Sequence, residues 1–75
     1  MTYTLNQEVE AAMIMLVKAS GAQTIRQFAY EVYAQVGGIG DKDRAVTLVA
    51  NILFTNHSRK WGLENDSYWT YEGSS

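Results

Sequence analysis

The sequence predicts a small α+β domain, three helices followed by a C-terminal two-stranded hairpin, on three observations. Apolar residues recur at helical spacing in three stretches, and glycine-bearing breaks at Gly21 and Gly37–Gly40 separate them. From Lys60 the pattern shortens into two aromatic-rich runs. The expected helices cover about 5–20, 24–36 and 42–57, and the hairpin about 60–71, within one domain spanning 1–75. An all-α three-helix bundle with an irregular C-terminal segment is the alternative.

The first helix is expected to start near Thr4 or Asn6, because Thr4 with Gln7 three residues on matches a capping box, and to stop at Gly21. Leu5, Val9, Ala12, Met13 and Leu16 form its core stripe. Ala11, Ile14 and Met15 then lie on the other side, where a surface helix should be polar. Either C-terminal aromatics fold over that side, or it meets a partner.

The second helix follows a short connection, with Thr24 and Gln27 as another capping box. Ile25, Phe28, Ala29, Val32 and Val36 make the cleanest stripe of the chain, and Tyr30 and Tyr33 sit at or beyond its border. Gly37-Gly38-Ile39-Gly40 reads as a helix–helix turn with Ile39 plugging the core. No G-x-x-x-x-G-K-[ST] pattern accompanies it, so a phosphate-binding loop is not expected.

The third helix, capped by Asp41 or Asp43, has two chemically distinct faces. Ala45, Val46, Leu48, Val49, Ile52 and Leu53 fall on an apolar arc, whereas Arg44, Thr47, Asn51, Thr55 and Ser58 fall opposite, bordered by Phe54. The helix fades between Phe54 and Arg59. Beyond it, Lys60-Trp61-Gly62-Leu63 and Tyr68-Trp69-Thr70-Tyr71 read as strands joined through Glu64-Asn65-Asp66-Ser67. One aromatic face closes the core and Tyr68 is left outside.

With 75 residues the chain holds one modest core, and its 47% apolar content sets it apart from disordered sequences. The absence of cysteine excludes disulfides and thiolate metal sites. The longest apolar run, seven residues from Ala11 to Val17, is far short of the roughly 20 needed to span a bilayer. Lacking also a basic leader, the protein is expected in the cytoplasm, without a membrane.

Catalysis is not expected. His57 is the only histidine, and its neighbour Ser58 points about 100° away on a helix, so the two make no nucleophile–base couple. Glu64 and Asp66 sit at an open hairpin tip, and neither acidic cluster has EF-hand spacing. No cofactor and no metal are expected.

Three helices followed by a hairpin is the minimal winged-helix order, a topological analogy that would make the third helix of a helix-turn-helix the recognition element. Lys42, Arg44, Thr47, Asn51, Thr55, Arg59 and Lys60 are the residues suited to bases or phosphates. A net charge of −2 and the acidic tip Glu64 and Asp66 disfavour DNA. The first expectation is therefore a non-catalytic regulatory or adaptor-like protein that binds a partner protein through Ile14, Met15, Tyr30, Tyr33, Phe54 and Tyr68. A DNA-binding winged-helix regulator is one alternative. An acidic inhibitor occupying the nucleic-acid-binding groove of another protein is a second. A homodimer through the first helix, at an Ile14/Met15 strip, is compatible with protein or DNA binding.

Overall fold

A computed structural model describes residues 4–55 and 60–71. Its elements are α1 (Leu5–Ser20), α2 (Ile25–Gln35), α3 (Lys42–Thr55), β1 (Trp61–Glu64) and β2 (Tyr68–Tyr71). The α+β arrangement is therefore present, and the all-α alternative is set aside by the antiparallel pairing of β1 with β2.

The helix starts form as their side-chain chemistry dictates. Thr4 accepts a hydrogen bond from the Gln7 backbone N–H at 3.2 Å while the Gln7 side chain accepts from the Thr4 N–H at 2.8 Å. Thr24 and Gln27 repeat this reciprocal pattern at α2. At α3 the cap is Asp41 rather than Asp43, its carboxylate accepting from the Arg44 N–H at 2.9 Å. Asp43 instead lies in the first turn, where its charge still complements the helix dipole. Helix α1 ends at Gly21, whose φ of 85° is open to glycine at little cost and whose N–H donates to the Val17 carbonyl.

The core gathers Val9, Met13 and Val17 from α1, Phe28, Ala29 and Val32 from α2, and Ala45, Val49, Ile52 and Leu53 from α3. Ile39 joins it at 2% exposure, between Gly38 and Gly40, both at positive φ. That is the expected plug. The α1 stripe is rotated from the expected one: Val17 is buried, whereas Leu5, Ala12 and Leu16 pack at the core's edge.

The hairpin closes the remaining side. Its register pairs Trp61 with Tyr71 and Leu63 with Trp69, so these four share the inward face, while Glu64 and Tyr68 share the outward one. Asn65 and Asp66 both take positive φ, and the Ser67 N–H donates to the Glu64 carbonyl. Positive φ at both central positions matches the twist that a tight hairpin requires.

A further pairing ties the hairpin to the helices. Gln23, in the α1–α2 connection, bridges β2 at Trp69, each residue's N–H donating to the other's carbonyl at 3.0 and 2.7 Å. Strand β2 is thus flanked on both edges, by β1 and by the connection. This locks the hairpin against the start of α2 rather than leaving it as a projecting arm.

Candidate protein-binding groove

Two aromatic centres set the position of the hairpin. Trp61 is fully buried, with Phe28 edge-on at 5.6 Å and Tyr71 at 4.9 Å between ring centroids, and its indole Nε1 donates to Glu10 of α1 at 3.0 Å. Trp69 is 2% exposed and meets the ring of Phe54 edge-on at 5.3 Å. Phe54 itself remains 63% exposed. One face of its ring is therefore held by a buried indole while the rest stays open.

An apolar groove runs between the start of α2, the end of α3 and the hairpin. Ile25, Phe54, Leu63 and Trp69 form its apolar walls, with Thr24, Arg26, Asp66 and Ser67 around them. Leu63 is 41% exposed although it shares the inward face with Trp61 and Trp69, so that face is closed at its base and open toward the hairpin tip. Arg26 also lines a neighbouring hollow with Ala29, Tyr30, Lys42 and Val46, so one cationic side chain separates the groove from the exposed Tyr30 ring. The apolar centre and charged border match the anatomy of a protein-recognition site.

The residues expected to bind protein do not form one patch. Phe54 lies in the groove, Tyr30 and Tyr33 are exposed on α2, and Met15 is exposed on α1. Tyr68 is exposed but belongs to the hairpin face opposite Leu63 and Trp69, so it turns away from the groove. Ile14 is a correction: it is half-buried against the core. It sits one helical turn beyond Glu10, whose carboxylate Trp61 engages, so of the expected Ile14/Met15 strip Met15 is the more open member.

The residues expected to contact nucleic acid are mostly where the helical period puts them. Arg44, Thr47, Asn51 and Thr55 are all exposed along α3, and Lys42 and Lys60 are exposed near its two ends. Arg59, together with His57 and Ser58, lies outside the described residues. Thr47 donates its hydroxyl to the Asp43 carbonyl at 3.1 Å. Asn51 and Thr55 border a small cleft shared with Asn6, Gln7 and Glu10 of α1. Asp41, Asp43, Glu64 and Asp66 are exposed as well, the first two at the start of α3 and the last two at the hairpin tip.

Leu63, Ile25, Arg26 and Trp69 were not singled out as contact residues by the sequence. Their grouping depends on the Gln23–Trp69 bridge, which no local pattern announces. Among the described residues no cluster of three or more histidine, cysteine or acidic side chains is arranged to hold a metal ion. No helix of the described residues is long and apolar enough to cross a membrane. Comparison with protein-family models, with curated proteins and with solved structures finds no match to this chain.

Proposed function

We propose that the protein is a small non-catalytic binding module that recognises a partner protein through the groove walled by Ile25, Phe54, Leu63 and Trp69. The observation that supports this reading is the solvent exposure of Phe54 and Leu63 on either side of the buried Trp69. Large apolar side chains held beside a tryptophan, with an arginine at the border, are the composition that dominates binding energy in interfaces. Their positions come from α3, β1 and β2, so the groove's shape exists before the partner arrives and little ordering entropy is lost on binding.

Selection of peptides from a random library against the intact protein tests the reading. Bound peptides should perturb the amide resonances of Ile25, Arg26, Phe54, Leu63 and Trp69, and Phe54→Asp or Leu63→Asp should abolish binding while the protein stays folded at the temperature of the titration. Peptides that bind elsewhere, or that tolerate both substitutions, would overturn it.

A second reading is DNA binding through α3, favoured by the unobstructed row Arg44, Thr47, Asn51 and Thr55. Against it stand the carboxylates Asp41, Asp43, Glu64 and Asp66, which outnumber Lys42, Arg44 and Lys60 among the described residues from 41 to 71. Salt-sensitive binding of duplex DNA, weakened at least about tenfold by Arg44→Ala and by Asn51→Ala, would establish this reading over the first.

A further inference from the structure

We propose that the chain forms a two-fold symmetric dimer in which α1 packs antiparallel on α1 of a second copy, through a face separate from the groove. Helix α1 carries two seams. Val9, Met13 and Val17 point into the core, and Thr4, Glu8, Ala11, Met15, Lys18 and Ala22 follow one another at the alternating four- and three-residue spacing of a helix-pairing seam on the opposite side. The four members of this outer seam that lie within the helix, Glu8, Ala11, Met15 and Lys18, are all exposed. Met15, at 68%, is the most exposed large apolar side chain of the described residues.

The occupant follows from the order of chemistry along that seam. It runs acid, small, large, base: Glu8, Ala11, Met15, Lys18. Reversed and placed against itself about a point level with Met13, the seam sets Glu8 opposite Lys18 of the second copy and Ala11 opposite its Met15. Both relations occur twice, as a two-fold axis demands. A parallel pairing would instead set Glu8 against Glu8 and Lys18 against Lys18, which the charges oppose.

Shape agrees with charge. Ala11 and Ala12 floor a hollow between α1 and the end of α2 that is bordered by Gln7, Glu8, Gln35, Val36, Gly37 and the chain's own Met15. Met15 of the second copy falls over this hollow, because it faces Ala11. Each copy thus offers one flexible apolar knob beside an alanine-floored recess, so the two methionines pack next to each other across the axis. With 16 residues, α1 presents a seam about 24 Å long.

Sedimentation equilibrium of the intact protein up to millimolar concentration tests the dimer. The parent should associate reversibly, and Met15→Lys should leave a folded monomer with an unchanged melting midpoint. Glu8→Lys and Lys18→Glu should each weaken association by about tenfold, since each replaces two attractive pairs by two repulsive ones. The double variant Glu8→Lys/Lys18→Glu should restore association to near the parent value. A parent that stays monomeric throughout overturns the proposal. So does a dimer indifferent to both single charge reversals, or one that the double variant fails to restore.

Discussion

The Trp61 indole Nε1 donates to the Glu10 carboxylate at 3.0 Å, joining the first residue of β1 to the middle of α1. Trp61 is fully buried, so its N–H has no water to turn to if the carboxylate is removed. Glu10→Ala should therefore lower unfolding stability by about 1–3 kcal/mol, measured by urea denaturation. In a Trp61→Phe background the same change should cost much less, because no donor is left unpaired. Equal costs in both backgrounds would show that the contact contributes nothing specific.

Ile39 is 2% exposed between two glycines at positive φ, a single side chain closing one end of the helical core. Ile39→Ala should cost about 2–4 kcal/mol, the range for emptying a well-packed apolar position. Thermal unfolding checks this, and a cost below that of an exposed alanine substitution would mean that the loop collapses to fill the space.

Phe54 contributes differently, since most of its ring is already in water. Phe54→Ala should cost only about 0.5–1.5 kcal/mol, chiefly through the lost edge-to-face contact with Trp69. Its effect on groove binding should be far larger than its effect on stability. Denaturation and peptide titration of the same variant separate the two.

Asp66 holds φ of 64° at the hairpin tip, a conformation that glycine adopts without strain. Asp66→Gly creates the Asn-Gly pair best suited to a tight hairpin turn and should raise stability by up to about 1 kcal/mol. A lower melting midpoint in this variant would reveal a stabilising role for the carboxylate.

Much of the fold was legible because its determinants are local. The Thr4/Gln7 and Thr24/Gln27 capping boxes, the glycines after α1 and α2, and the change of period at Lys60 each act over a few residues, and the elements begin or end near them. On α3 the division between Ala45, Val49, Ile52 and Leu53 inside and Arg44, Thr47, Asn51 and Thr55 outside also follows directly from helical period. Where tertiary packing decides, the pattern misled. Ile14 is half-buried against the core although the helical pattern sets it on the outer side, and Leu63 stays 41% exposed although it shares the face of Trp61 and Trp69. The groove itself needs α2, α3 and both strands together, so no single stretch could announce it.

The mutual backbone pairing of Gln23 with Trp69 joins positions that leave the ribosome far apart in time. Both buried tryptophans, moreover, belong to the hairpin, and Tyr71 meets Trp61 edge-to-face. During synthesis the three helices can form early, but their shared interior stays incomplete until β2 has emerged. Removal of β2 should therefore open the interior that the helices share, and such a chain should lose its cooperative unfolding transition.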